Sequence, residues 1–458
     1  MANRAYLTAP VKTDKMPPGI PYIVGNEAAE RFNFYGMRAI LVVYMTKYLV
    51  DRTGAFAPMN DNAASASYHW FLFANYFIPT IGAIVADAFW GKYRTIFWIS
   101  LVYCAGSVVL AIDHTRLGLW LGLTLIAIGS GGIKPCVASH VGDQFGVDNQ
   151  HLLSKAFGWF YFSVNFGSFF SILLVPWLLE KFGPLPAFGV PAVLMLVATF
   201  VFWLGRYKFA HIPAGGRSWL QRTFDREGLS TLGRISIIFI FVAVFWSLWD
   251  QSGGEWVLQA EKMNLHFLGI HWLSSQIQAV NAIMILAFIP LFQYIIYPAI
   301  DRVYRLTPLR KIGLGLIVTG LSFFVSAWIE TQIAAGLTPS IGWQLPAYAL
   351  LSAGEIMVSI TGLEFAYTQA PPHMKAMIQA VYLLSISAGN AFTALVHVVI
   401  ANKDGTMKLT GATYYNFFAL LSIGCVAVYV FVAKAYKERS FVQGGPMPIP
   451  LTDAPQGT

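Results

Sequence analysis

Long apolar runs, each near the length of a bilayer crossing, alternate with short polar connections through almost the whole chain. They fall near 22–50, 66–88, 95–112, 117–141, 153–178, 187–206, 233–260, 275–298, 310–330, 344–369, 375–401 and 411–436. A helix rising about 1.5 Å per residue needs roughly 20 apolar residues to cross the hydrocarbon. The pattern therefore predicts an all-α membrane protein with twelve transmembrane helices. One long polar segment, Tyr207–Thr231, interrupts it between the sixth and seventh runs. The expected division is a segment 1–21, a six-helix bundle 22–206, a linker 207–231, a second six-helix bundle 232–436 and a tail 437–458. The tail is rich in Pro and Gly from Ser440 onward, a composition that favours disorder. Direct sequence repetition between the two halves is not evident.

Composition removes the soluble alternative. The chain is 56% hydrophobic and 11% charged, against about 25% charged in soluble domains. No apolar h-region precedes the first run, so no cleavable signal peptide is expected. Cys104, Cys136 and Cys425 lie far apart inside apolar runs and suit packing better than a disulfide frame or a metal site. The formal charge of +8 is explained by where the cations fall. Arg4, Lys12, Lys15, Lys92, Arg94, Lys155, the linker set Lys208, Arg217, Arg222 and Arg226, and Arg234, Arg302, Arg305, Arg310, Lys311, Lys375, Lys434, Lys437 and Arg439 share one side of the pattern. Lys47, Arg52, Arg116, Lys181, Lys262, Lys403 and Lys408 are all that the other side holds. The cation-rich side is expected to be cytoplasmic, with both termini on it, and no nucleic-acid partner is called for.

Charges inside the runs carry the candidate chemistry. Glu27, Glu30, Arg31 and Arg38 sit in the first run. Spacings of three and four place the first three on neighbouring ridges of one helix, with Tyr35 a turn beyond Arg31. Each charge would cost at least ~2.5 kcal/mol facing lipid at the bilayer centre. The cluster therefore faces a polar cavity or its own members, as a pathway element or as a plain structural ion-pair set. Lys134 lies deep in the fourth run, after Gly129, Gly131 and Gly132 and before Pro135. It needs a carboxylate, and Asp250 in the seventh run is a natural one. Asn165 in the fifth run offers both a donor and an acceptor. Gln278 and Asn281 open the eighth, and Glu355 and Glu364 lie in the tenth. Between the second and third runs, Asp87 precedes Lys92 and Arg94, a charge set suited either to anchoring at the cytoplasmic surface or to latching neighbouring helices.

Four blocks in order closely resemble the proton-coupled oligopeptide transporter (POT/PTR) family of the major facilitator superfamily. Glu27–Arg31 matches its E-x-x-E-R signature, continued by Phe34-Tyr35-Gly36-Met37-Arg38. Gly82–Arg94 matches its second-to-third-span loop. Phe160–Ser168 matches F-Y-x-x-x-N-x-G-S, and Gly354-Glu355 with Ser359 and Gly362 resembles its tenth-span motif. The resemblance implies the major facilitator fold, two six-helix bundles about a central site. It implies that Arg38 and Lys134 hold a peptide carboxylate, that Glu355 with Asn165 and Asn281 holds the ammonium, and that Tyr35 and Tyr68 line the site. Glu27, Glu30, Arg31, Asp250 and His69 would couple protons, and Asp87, Lys92 and Arg94 would form the gate loop. Asp250 stands where the family usually has Glu, Tyr382 where many members have Trp, and Ala282 where Pro is frequent. The linker is too short for the two extra helices of many bacterial members, and Thr331–Gly342 is too short for the outer domain of animal members.

The implied function is symport of di- and tripeptides with protons by alternating access, in a plasma membrane or bacterial inner membrane. No cofactor is expected beyond the proton gradient, and a monomer in the lipid bilayer is the expected state. A carrier of nitrate or another small anion is the main alternative, since Arg38 and Lys134 alone could hold an anion. A receptor built on the same fold would not need the proton cluster. No nucleophile–base pair, metal spacing or phosphate loop suggests an enzyme.

Overall fold

The computed structural model describes residues 6–362, 365, 375–402 and 407–436. The chain divides into two compact units, Met1–Gln221 and Arg222–Thr458. The first holds α1 (Ile20–Lys47), α2 (Asp61–Ile84), α3 (Lys92–Ile112), α4 (Arg116–Gly142), α5 (Leu153–Phe182) and α6 (Pro184–Leu204). The second holds α7 (Arg226–Trp249), α8 (Ala279–Leu291), α9 (Pro308–Ala334), α10 (Gln344–Glu355), α11 (Lys375–Ile400) and α12 (Ala412–Ala435). Short helices Gly216–Thr223, Glu255–Ala260 and Tyr297–Asp301 lie between them.

Ten helices among the described residues are long and apolar enough to cross a membrane. The chain is a multi-pass membrane protein. α1 is not one of the ten, although its 28 residues suffice for a crossing, because its charges lower its hydropathy. α10 continues through a π turn, Ile356–Ile360, toward residues outside the described set. Large apolar side chains remain exposed on the helices, Phe431 at 74% and Ile283 at 56%, as lipid contact requires.

Several helices begin earlier than their apolar runs. α2 starts at Asp61 because the Asn60 side chain accepts from Ala63 N at 2.8 Å. α7 starts at Arg226 because Asp225 accepts from Gly228 N at 2.7 Å. Hydropathy marks only the apolar part of a helix, whereas a capped polar first turn extends it. The seventh run also breaks. After Trp249 a tight turn, Asp250–Gly253, leads into Glu255–Ala260.

In the first unit α1 packs along α5 and α6, α2 along α4, and α3 along α4 and α6. Glycine makes two of these contacts possible. A Cβ on Gly82 of α2 would lie 2.6 Å from the Gly132 carbonyl oxygen of α4, and one on Gly167 of α5 would lie 2.3 Å from the Ala28 carbonyl oxygen of α1. In the second unit α7 runs along α11, and α9 along α10 and α12. Its core gathers Leu248, Trp256, Phe323, Tyr348, Tyr415 and Phe418, all nearly or fully buried.

Candidate functional site

α1 brings its charges together as the spacing predicts. Arg31 Nε lies 2.7 Å from Glu27 Oε1 and 2.8 Å from Glu30 Oε2, so one guanidinium serves two acids. Both acids are buried. Glu30 Oε1 also accepts from Ser130 Oγ of α4 at 2.8 Å, which ties the cluster across to a second helix. Lys134, four residues along α4 from Ser130, sends its ammonium over the Phe34 ring at 3.9 Å and the Tyr76 ring at 4.5 Å. Its Nζ is buried and makes no hydrogen bond among the described residues. Cation–π attraction to two rings offsets part of its desolvation.

One turn on, buried Arg38 donates from Nε to Tyr68 Oη at 2.7 Å. The His69 ring meets the Tyr68 ring edge-on at 5.1 Å, and His69 is fully buried. Tyr35 stands half-buried against Phe34, with ring centres 5.4 Å apart. Asn165 is half-buried on α5, and its carbonyl accepts from Ser168 Oγ at 3.1 Å.

In the second unit Glu355 is held by neutral donors. Trp249 Nε1 reaches its Oε2 at 2.7 Å and Asn281 Nδ2 reaches the same oxygen at 2.9 Å. Asn281 also donates to Ser352 Oγ at 3.0 Å. The expected Glu355–Asn281 pair is therefore in contact, with Trp249 as a third member that sequence reasoning missed. Fully buried Asp250 accepts from Asn390 Nδ2 of α11 at 2.5 Å. Tyr382 bonds Ser359 Oγ at 3.0 Å and packs edge-on to Trp246 and Phe239. Glu364 lies outside the described residues.

A second buried polar set in this unit was also missed. His397 Nε2 lies 2.7 Å from Glu255 Oε1, and Tyr414 Oη lies 3.1 Å from the same nitrogen. Beside it Gln259 Nε2 donates to Glu330 Oε1 at 3.0 Å, and Gln344 Nε2 to the Trp256 carbonyl at 2.9 Å. Glu255 and Glu330 both lie within apolar runs, so the cost argument applied to Glu27 would have found them.

The loop after α2 begins with a π turn, Val85–Trp90, and ends at Gly91 with φ +77°. Lys92 Nζ bonds both carboxylate oxygens of Asp143, at 2.8 and 3.0 Å, and so fastens α3 to the end of α4. Asp143 was not foreseen. The Asp87 carbonyl accepts from Gly215 N at 2.7 Å, and Arg94 is exposed. A strap closes over this end of the unit. His211 N donates to the Leu7 carbonyl at 2.7 Å, and Gln144 Oε1 accepts from Ala210 N at 2.8 Å. The His211 ring lies 4.4 Å from the Tyr6 ring and 4.5 Å from the Tyr93 ring. Burial, foremost, and the nearby Arg94 charge hold His211 below the usual histidine range, against the pull of the Arg206 carbonyl that it meets at 2.7 Å.

The model of the POT family matches residues 93–226 and 217–414. Peptide transporter family 1 of Drosophila melanogaster is 37% identical over 364 residues, covering 69% of this chain and 48% of that protein. Solute carrier family 15 member 1 of Homo sapiens is 32% identical over 379 residues, covering 69% and 52%. The chain thus spans about half the length of the curated relatives it matches. Among solved structures, the POT family transporter PepTSo superposes with a TM-score of 0.84 at 35% identity, covering 92% of this chain and 99% of that one. A proton dependent oligopeptide (POT) family transporter gives 0.76 at 36% identity, covering 90% and 100%. The fold shared with these structures is the major facilitator fold, as the helix count and linker suggested.

Proposed function

The chain belongs to the POT family, a family of transporters and not of enzymes, and from that premise we propose that it is a proton-coupled symporter of di- and tripeptides working by alternating access. The observation that carries the reading is the sign of the buried charges in each unit. In the first unit two acids, Glu27 and Glu30, stand against three cations, Arg31, Arg38 and Lys134, which leaves one positive charge in excess. The buried charged residues of the second, among those described, are Asp250, Glu255 and Glu330 with His397 and no Lys or Arg. Half-buried Glu355 joins them, oriented by Trp249 and Asn281. The first set suits a carboxylate and the second an ammonium, the two end groups of a zwitterionic peptide.

In this reading Arg38, with its guanidinium set by Tyr68, and Lys134 take the peptide carboxylate. Glu355, Asn281 and Asn165 take the ammonium, and Tyr35 completes the lining. Glu27, Glu30 and Arg31 accept and release the proton, with Asp250 and His69 as further coupling groups. Protonating either glutamate weakens its hold on Arg31 and leaves the cluster more positive, which favours an anionic group nearby. Lys92, Asp87 and Arg94 belong to the cytoplasmic gate. The protein works as a monomer in a plasma or bacterial inner membrane, with both termini cytoplasmic, and is driven by the proton gradient alone.

Competition for dialanine uptake in proteoliposomes tests the substrate class. N-acetylated dialanine, which lacks the ammonium, should compete poorly, and Glu355→Gln should weaken binding of the free peptide far more than of the blocked one. A buried charge left without its partner costs several kcal/mol. Equal competition by free and blocked peptides in the wild-type protein would replace the peptide reading with an anion carrier.

A further inference from the structure

A different kind of site lies on the connection between α7 and α8, at the end of α7 away from the linker. Strand β1 (His266–Phe267) pairs antiparallel with β2 (Ile270–His271), and His266 stands directly opposite His271. Leu268 and Gly269 form the two-residue turn, with φ of 54° and 76°. Positive φ at both central residues marks the primed turn that matches strand twist. In such a hairpin the pair next to the turn is hydrogen-bonded, so the next pair, His266 with His271, is not. Trp272 N donating to the Leu265 carbonyl at 3.0 Å closes the following hydrogen-bonded pair and confirms the register. Non-hydrogen-bonded pairs bring side chains closest, on one face of the sheet. Both histidines are exposed.

The hairpin is anchored as well as registered. Asn264 N donates to the Pro339 carbonyl, and Ile341 N to the Asn264 carbonyl, both at 2.9 Å. Trp272 Nε1 donates to the Phe267 carbonyl at 3.1 Å, and the Phe267 ring lies against Gly342. The two imidazoles stand with ring centres 4.5 Å apart and planes at 46°. With metal–nitrogen bonds of about 2.0–2.1 Å, each ring centre lies roughly 3.2 Å from an ion, and two rings at about 90° around it have centres roughly 4.5 Å apart.

We propose that His266 and His271 form a binding site for a late first-row divalent metal. They would occupy cis positions of a tetragonal Cu²⁺ or Ni²⁺ ion, with water completing the coordination, and Cu²⁺ would bind most tightly. The ion would staple the two strands of the connection between α7 and α8. No step of peptide transport is needed for the site to exist, so it stands apart from the functional reading above.

Cu²⁺ titration of the full chain in detergent, with any affinity tag removed, tests the assignment. Electron paramagnetic resonance should show one tetragonal Cu²⁺ with two imidazole nitrogens. His266→Ala and His271→Ala should each weaken binding by about tenfold or more, and the double variant should lose little beyond the worse single one, because the two ligands act as a unit. Metal-free thermal stability should be the same in all forms, since both side chains are exposed. Wild-type affinity in either single variant would overturn the site, and so would a Cu²⁺ spectrum that survives unchanged in the double variant.

Discussion

Replacing Glu30 by Gln tests whether the α1 cluster carries the proton. The variant keeps the shape of the side chain and its oxygen for Ser130 Oγ, and removes the charge. Arg31 then loses one of two partners, at 2.8 Å, and keeps Glu27 at 2.7 Å. The loss is one charge-assisted hydrogen bond, ~1.5–3 kcal/mol. It falls short of the ~3–5 kcal/mol lost when a buried charge is stripped of its partner. Glu30→Gln should therefore fold and reach the membrane, and Glu27→Gln should do the same. Arg31→Met strips both acids of their shared guanidinium, so it belongs to the larger class and should show reduced yield or thermal stability.

Function should separate where stability does not. In proteoliposomes, uptake of labelled dialanine driven by an imposed proton gradient should fall to the gradient-free baseline in Glu30→Gln and Glu27→Gln. Counterflow, in which labelled peptide exchanges against unlabelled peptide with no net proton movement, should persist. Gradient-driven uptake at the wild-type level in both single variants would refute the reasoning. The cluster would then be a structural fastening between α1 and α4.

Three further outcomes follow from the geometry. Tyr68→Phe removes the hydroxyl that Arg38 Nε meets at 2.7 Å; a hydrogen bond to a charged group is worth ~1.5–3 kcal/mol, so the KM for a zwitterionic dipeptide should rise about tenfold while the protein stays folded. Asp143→Asn breaks the two-oxygen contact with Lys92; the pair is partly exposed, so the cost should be ~1–2 kcal/mol, read as a lower thermal midpoint and faster proteolysis near Gly91, with the Lys92→Asp, Asp143→Lys swap restoring part of it. His211 is held below its ordinary value in the folded chain; its contribution is present above the unfolded value of about 6.5 and is lost as pH falls through that value toward the folded one. Protease access to the strap at Leu7 and His211 should therefore increase on acidification from about pH 8 to about pH 5, and His211→Phe, which keeps the stacked ring, should flatten that dependence.

What the sequence revealed of this chain depended on whether cost or partnership was being read. Glu27, Glu30, Arg31, Arg38, Lys134 and Asp250 stand out because a charge in an apolar run is expensive wherever its partner is. The partners themselves were hidden. Ser130 lies 100 residues from Glu30, Asp143 lies 51 from Lys92, and Trp249 lies 106 from Glu355. No local spacing announces such a pair. The twelve apolar runs were legible because bilayer thickness fixes their length, whereas the capped first turns of α2 and α7 and the π turns Val85–Trp90 and Ile356–Ile360 were not, since each adds polar or unpaired backbone that hydropathy does not weigh. The strap from Tyr6 to His211 joins two polar segments, and polarity alone gives no reason for them to meet. Glu255 and Glu330 are the exception, because the cost criterion applied to them as well.

The two units hold their carboxylates by different means, and the difference bears on what each carboxylate can do. Glu27 and Glu30 share one guanidinium, so the three groups carry one negative charge in excess and a single proton brings them to balance. Glu355 is held by an indole and an amide, and Asp250 by an amide. Neutral donors fix position and add no charge of their own. Protonation of Glu30 would release Arg31 from one partner while Ser130 kept α1 against α4, so the helix contact need not break when the charge changes. A carboxylate oriented by Trp249 and Asn281 needs no such balance. Its geometry is set by α7 and α8 before a ligand arrives, which lowers the ordering cost of binding a cationic group. A cluster one proton from balance suits a group that must respond to one proton, and a pre-set acid suits one that must recognise an ammonium.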